Sequence, residues 1–359
     1  MLTRRAFALT TPVLLGACTA DGEDYDAAIA RIWKPGASTG LNGVALQREL
    51  VRYATLAPSS HNTQCWKFGL EQGAIAILPD MARRCPIVDP DDHHLFVSLG
   101  CAAENLAQAA LAHGLAAETE FDSGSGRLRI ALAPTAAASS PLFEAIPHRQ
   151  STRGEYDGQP LSATELGLLQ RAASGNGVRV LLLTDKAALE KVLEFVVQGN
   201  TAQLNDPAFR DELKAWIRFS SSDAVRLGDG LYAASSGNPT LPTWLGNLIF
   251  GFVVTAASEN ARAIEQVRSS AGLVILVGKT ADRAHWVESG RAYQRFALEA
   301  TVRGFRHAFV NQAVEVAAVR EKLAAELGIP GRRPDMILRF GNGPEMPRSL
   351  RRPVSAVIV

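Results

Sequence analysis

The feature that most constrains this chain is a distant internal match. Val97-Ser98-Leu99-Gly100-Cys101-Ala102-Ala103-Glu104-Asn105 aligns, at an offset of 190, with Val287-Glu288-Ser289-Gly290-Arg291-Ala292-Tyr293-Gln294-Arg295, and the match continues through Ala110 with Ala300 and Gly114 with Gly304. Both segments are helical in pattern and dense in Gly and Ala. Small side chains let helix axes approach toward the short end of the roughly 8–10 Å packing range, so these two helices are expected at the centre of the molecule. Upstream, Glu49-Leu50 and Glu165-Leu166 each open a helical pattern, offset by only 116; the second copy therefore carries about 74 extra residues.

That insertion falls between the strand-like Val178–Thr184 and the strand Gly272–Gly278. Helices are expected around Lys186–Gln198 and Pro207–Arg218, then a loop rich in Ser, Gly and Pro from Ser220 to Pro242. Trp216, Phe219, Tyr232, Trp244, Phe250 and Phe252 punctuate it, and a long aromatic-studded loop in a compact protein reads as a lid or binding segment. Further strands are expected near Lys67–Leu78, Arg127–Ala133 and Met336–Phe340, with Val354–Val359 as an extended arm. The order is α+β with segregated helices, not regular βαβ alternation. It divides the chain into a leader (1–18), a tether and entry segment (19–40), a reduced first copy (41–144) and a second copy (145–359) with its lid insertion at about 185–268.

Lys plus Arg (37) and Asp plus Glu (36) balance, which removes the basic field that nucleic-acid binding requires and favours a small-molecule partner. Thr3-Arg4-Arg5-Ala6-Phe7 precedes an apolar run from Ala6 to Ala17 that is too short to span a bilayer and reads as a secretory signal. It resembles a twin-arginine export signal, and Leu15-Gly16-Ala17-Cys18 resembles a lipobox, which implies a lipidated Cys18 and a membrane-anchored lipoprotein of the periplasm or cell envelope. Twin-arginine export moves folded proteins, which suits a chain that acquires its cofactor in the cytoplasm. Cys65, Cys85 and Cys101 are odd in number and lack zinc spacing; each reads as a small buried hydrophobe.

The chemistry is concentrated in Ala57-Pro58-Ser59-Ser60-His61-Asn62-Thr63-Gln64-Cys65-Trp66. Pro ends the preceding helix, and hydroxyls and amides follow at close spacing, neutral groups able to read the polar edge of a flat heterocycle. A second cluster, His148-Arg149-Gln150-Ser151-Thr152-Arg153, offers guanidinium forks and a hydroxyl suited to phosphate. Arg351-Arg352 adds a basic pair near the C-terminus.

These segments resemble the nitroreductase-like FMN-binding superfamily, in its Acg-like branch with two copies per chain. The resemblance implies that Ser59, Ser60, Asn62 and Gln64, in a loop similar to the family's Pro-Ser-Ser-x-Asn-x-Gln-Pro-Trp, belong to the cofactor site, the first three on the ribityl chain and pyrimidine edge of FMN. Cys65 replaces the usual Pro. It also implies that Arg149, Ser151, Arg153, Arg351 and Arg352 cradle the phosphate, and that Phe309-Val310-Asn311-Gln312 approaches flavin N5, Asn311 through its backbone. One arginine set implies one FMN per chain and a pseudo-dimer within a monomer. Asp91-Asp92-His93-His94 is read as helix capping and not as a metal site, because adjacent side chains diverge.

The activity implied is that of an FMN-dependent oxidoreductase, with catalytic residues and with electron donor and acceptor unspecified. The competing reading is a protein that sequesters FMN and turns over little, which export away from soluble NAD(P)H would suit.

Overall fold

The computed structural model describes residues 24–36 and 40–359. The arginine pair, the apolar run and Cys18 lie outside the described residues. A short helix α1 (Tyr25–Ile32) leads into α2 (Gly43–Thr55), the hairpin β1 (Trp66–Glu71) and β2 (Ala74–Pro79), the long α3 (His93–Ala112), and a second hairpin, β3 (Leu115–Asp122) and β4 (Arg127–Pro134). These strands form an antiparallel sheet ordered β1-β2-β4-β3. After α4 (Pro141–Ala145) the theme returns with α5 (Ala163–Ala173) and β5 (Arg179–Leu183). The insertion follows as α6 (Lys186–Asn205), α7 (Pro207–Trp216), α8 (Ser221–Leu227), α9 (Thr243–Val253) and α10 (Ala256–Arg268). Then come β6 (Gly272–Val277), α11 (Arg283–Val302), β7 (Arg306–Phe309), α12 (Gln312–Glu315), α13 (Ala317–Glu326) and β8 (Met336–Gly341). The second sheet, ordered β5-β6-β8-β7, repeats the first strand for strand.

The matched helices α3 and α11 do meet at the centre. Gly100 packs on Val287 and Gly290 on Val97, and a methyl group at either glycine would overlap the opposing carbonyl oxygen. Close approach then allows short polar bonds: the Cys101 thiol donates to the Gly290 carbonyl (3.3 Å), and Gln294 Nε2 donates to Asn105 Oδ1 (2.6 Å). Glu104 accepts from both Arg291 (3.3 Å) and Arg295 (3.1 Å).

Around this axis the two sheets differ. In β6, Val274 and Leu276 join the central core, whereas Leu273, Ile275 and Val277 enter a second core with Leu189, Val192 and Val196 of α6 and Ala263 and Val267 of α10. Burial on both faces explains the unbroken apolar run of that strand. In β3 every second residue from Ala116 to Asp122 is exposed, so that strand is covered on one face only.

Three expectations need correction. Lys67–Leu78 is a hairpin turning at Gly73 (φ +69°), not one strand, and β3 went unread because its alternation mixes Ala with Glu. The insertion is not all lid: α6 and α10 are framework, and α8 interrupts the expected Ser220–Pro242 loop. The terminal arm is extended only beyond a helical turn at Val354–Ala356; there Phe68 donates to Val357 O (2.7 Å) and Val359 donates to Phe68 O (2.9 Å). The tail of the second copy thus covers the free edge of β1, which would otherwise present unpaired backbone groups.

Candidate functional site

Helix α2 stops at Thr55 and the following loop makes one tight turn over Ser60–Asn62. His61 (φ +48°), Asn62 (φ +53°) and Gln64 (φ +54°) all occupy the left-handed region, which costs a non-glycine residue of order 1–3 kcal/mol unless its surroundings enforce it. The enforcement is visible. Ser59 Oγ accepts from Gln64 N (2.8 Å), Asn62 Nδ2 donates to Gly230 O (2.9 Å) and Leu350 O (3.2 Å), and Gly230 N returns a bond to Asn62 O (3.1 Å). Gln64 Nε2 donates to Gly228 O (2.8 Å) while its Oε1 accepts from Arg352 N (2.8 Å). A buried ion cluster completes the clamp: Asp229 takes Arg218 (2.7 Å) from the insertion and Arg83 from the first copy, and Arg83 also donates to the Thr63 carbonyl.

Above this loop lies a cavity of about 300 Å³, at the low end of the roughly 300–1,000 Å³ usual for ligand pockets. It joins a smaller recess of about 70 Å³; Pro58, Ser59, Arg153, Leu231 and Phe309 line both. The first copy contributes Ser59, Ser60, His61, His94 and Ser98 to the large cavity, and the second contributes Phe309, Val310, Asn311, Gln312 and Glu315. The site is composite within one chain.

The recess is lined by Arg149, Ser151, Arg153, Arg348 and Arg351, with no carboxylate in its wall. None of these arginines has an ion-pair partner among the described residues. Burial, reinforced by Arg149 and Arg348, pushes the proton affinity of Arg351 well down, and burial lowers that of Arg153. Arg149 Nε and Ser151 Oγ are buried without any hydrogen-bond partner. Orphaned donors beside uncompensated positive charge describe an anion site. Arg348, stacked with Arg351 on Trp33 (5.1 and 4.9 Å), was not picked out from the sequence, since a lone arginine in a Pro-rich tail carries no local signal.

The structure separates the other expected residues. Ser59 and Ser60 line the large cavity, and Asn62 borders the recess with its side chain committed to the lid and tail. Gln64 and Arg352 line neither cavity and serve the clamp. Arg351 is at the recess, but its guanidinium donates to the carbonyls of Thr55, Leu56, Ala57 and Leu350 and to Asn62 Oδ1, so it offers a ligand its field and no free N–H. Asn311 lines the large cavity while its Oδ1 accepts from Ile337 N (2.9 Å).

The six aromatics of the insertion do not line the cavity. Trp216 lies beneath Arg83 and Arg218, Tyr232 packs on Tyr25, Phe219 on Phe250, and Trp244 and Phe252 are exposed. Phe209 and Phe309 are the lining aromatics. Capping of α3 also falls elsewhere than expected: Asp89 accepts from the backbone of His94 and Leu95 (3.0 Å each), while Asp91 and Asp92 pair with Arg333 and Arg84. The thiols of Cys65, Cys85 and Cys101 are free and buried.

Searched against family descriptions, the chain matches none. It is similar to the Mycobacterium tuberculosis protein named "Putative NAD(P)H nitroreductase Rv3131", 27% identical over 325 residues that cover 87% of this chain and 90% of the relative. It is also similar to the same organism's "Putative NAD(P)H nitroreductase acg", 24% identical over 327 residues covering 86% and 94%. The fold is α+β, in two degenerate copies with the same strand order. A Bacteroides fragilis nitroreductase solved with bound FMN overlaps 57% of this chain and 90% of its own, at 16% identity and a TM-score of 0.36.

Proposed function

We propose that the chain holds one FMN between its two copies and acts as an oxidoreductase, taking electrons from a reduced donor and passing them to a nitro compound, quinone or similar acceptor. The observation that carries this reading is the carboxylate-free arginine recess, with Arg149 Nε and Ser151 Oγ unpartnered, opening into a cavity edged by the neutral Ser59-Ser60 turn. A phosphate fits the first part and an uncharged heterocycle fits the second. Arg149, Ser151 and Arg153 would donate to the phosphate, and Arg348 and Arg351 would add positive field. Ser59 and Ser60 would meet the polar edge of the ring, and the clamped insertion would exclude water. Bound flavin supplies the hydride and electron chemistry, so the protein's task is binding, orientation and electrostatics. The names of the two mycobacterial relatives agree with this class of activity. Export by the arginine-pair leader and anchoring through Cys18 belong to the same proposal and rest on sequence alone.

The test is direct. Purified protein is expected to be yellow, to release about one FMN per chain on denaturation, and to bleach anaerobically with NADH, NADPH or a quinol as well as with dithionite. A colourless protein that cannot be loaded with FMN overturns the binding site. Bleaching by dithionite alone overturns the oxidoreductase assignment.

A further inference from the structure

The inner wall of the large cavity carries an acid–base pair to which the FMN contacts proposed above assign no role. His94 lies in the first turn of α3 in the first copy and Glu315 closes α12 in the second; both line the cavity, with His94 Nε2 3.7 Å from Glu315 Oε1. His94 Nε2 is buried and has no hydrogen-bond partner. The second carboxylate oxygen of Glu315 accepts from Gln203 Nε2 (2.6 Å), and the amide oxygen of Gln312, on the same wall, is buried without a partner.

We propose that His94 and Glu315 form the proton-delivering pair of this cavity, serving the oxygen of a quinone acceptor as that oxygen is reduced. The proposal rests on the FMN reading for its source of hydride. A quinone that gains a hydride needs one proton to become the hydroquinone. That proton leaves the His94–Glu315 pair for the quinone oxygen, the new bond being O–H. The pair is left as neutral imidazole and carboxylate, the latter held by the Gln203 amide, and regains a proton from solvent after product departs. A separation of 3.7 Å between catalytic partners is common before substrate closes the site.

Burial, then the surrounding charges, acts on both groups. Burial lowers the proton affinity of His94; Glu315, Asp91 and Asp335 oppose that shift and Arg333 adds to it. Burial raises that of Glu315, with Asp89 adding to it and His94 and Gln203 opposing. His93 packs edge-on against His94 at 4.6 Å, and His61 and Arg153 line the same cavity as His94. The affinities of acid and base are thus pushed toward each other, as sharing of one proton requires.

His94→Gln and Glu315→Gln, both near-isosteric, test this in two ways. In apoprotein labelled with ¹⁵N-histidine, Glu315→Gln is expected to move the His94 ring titration to lower pH; an unmoved titration shows that the two are uncoupled and overturns the pair whether or not FMN binds. In FMN-loaded protein reduced with dithionite, reoxidation by benzoquinone is expected to slow by about a hundredfold or more in either variant, the scale of a lost general acid, with loss of its pH dependence. FMN loading is measured for each variant, and the rates are compared per bound flavin. Parental reoxidation rates with an unchanged pH profile overturn the proposal, and failure to load FMN in the parent overturns the earlier reading instead.

Discussion

Removing the Arg149 side chain isolates the phosphate end of the site. In the free chain this guanidinium makes one hydrogen bond, Nη2 to Leu56 O at 3.0 Å, leaves Nε unpartnered, and repels Arg351. Its loss should therefore change the stability of the free protein by no more than about 1 kcal/mol, the net worth of an ordinary hydrogen bond, partly offset by relief of that repulsion. Against a bound phosphate the same group gives a charge-assisted bond of about 1.5–3 kcal/mol, so Arg149→Ala should weaken FMN binding about ten- to a hundredfold. The comparison that decides is FMN against riboflavin, titrated by flavin fluorescence into apoprotein at a concentration where it is monomeric. The parent should prefer FMN; Arg149→Ala should erase most of that preference and leave riboflavin affinity unchanged. Ser60→Ala, removing a neutral contact of about 1 kcal/mol, should weaken both flavins about fivefold and alike. Equal loss of FMN and riboflavin in Arg149→Ala, or no loss of either, would refute the placement of the phosphate. Binding only in a dimeric form would refute the composite site within one chain.

Three further outcomes are expected. Arg351→Ala should unfold at markedly lower urea, by at least about 3 kcal/mol, because it strands the buried carbonyl oxygens of Thr55 and Ala57 and Oδ1 of Asn62 at roughly 1–3 kcal/mol each, whereas Leu56 O and Leu350 O keep Arg149 and Asn62; a stable variant with weak FMN binding would show that Arg351 is a ligand and not a strut. Gly100→Ala should cost about 1–3 kcal/mol or more by forcing α3 from α11, whereas Gly167→Ala, in α5 with only the flexible Arg171 side chain nearby, should stabilise by about 0.5–1 kcal/mol; thermal melts that rank them the other way would remove the central helix contact. His307 is fully buried with both ring nitrogens unpartnered, and burial, then Arg149, depresses its pKa to about 3. The unfolded chain binds the proton at higher pH than the folded one, so this stability is complete above the ordinary pKa of about 6.5 and is lost toward pH 3, at about 1.4 kcal/mol per unit. Relative to the parent, His307→Gln should flatten the pH dependence of urea unfolding between pH 6 and 4, and parallel curves would contradict the assignment.

Much of the architecture was legible in the chain itself, because it depends on residue types that act locally or by size. Gly100 and Gly290, each within a run of small residues, announce a helix pair in close contact, since only the missing side chain permits it. Ser59-Ser60 after Pro58, and Arg149 with Ser151 and Arg153, announce neutral and anionic recognition by the donors they carry. What the sequence could not decide is where each donor is spent. Asn62, Gln64 and Arg352 have the right chemistry for a cofactor, but the insertion and the tail bring Gly228, Gly230 and Leu350 against Asn62 and Gln64 and consume their hydrogen bonds, and the Arg352 guanidinium is spent on Gln64 O and Ala356 O. Arg348 and Glu315 carry no motif and His94 reads only as part of a capping cluster; all three reach the site because the tail and both copies converge there. A side chain's identity sets what it can bind; its partner depends on which backbone lies within 3 Å, and between residues hundreds of positions apart only the folded packing settles that.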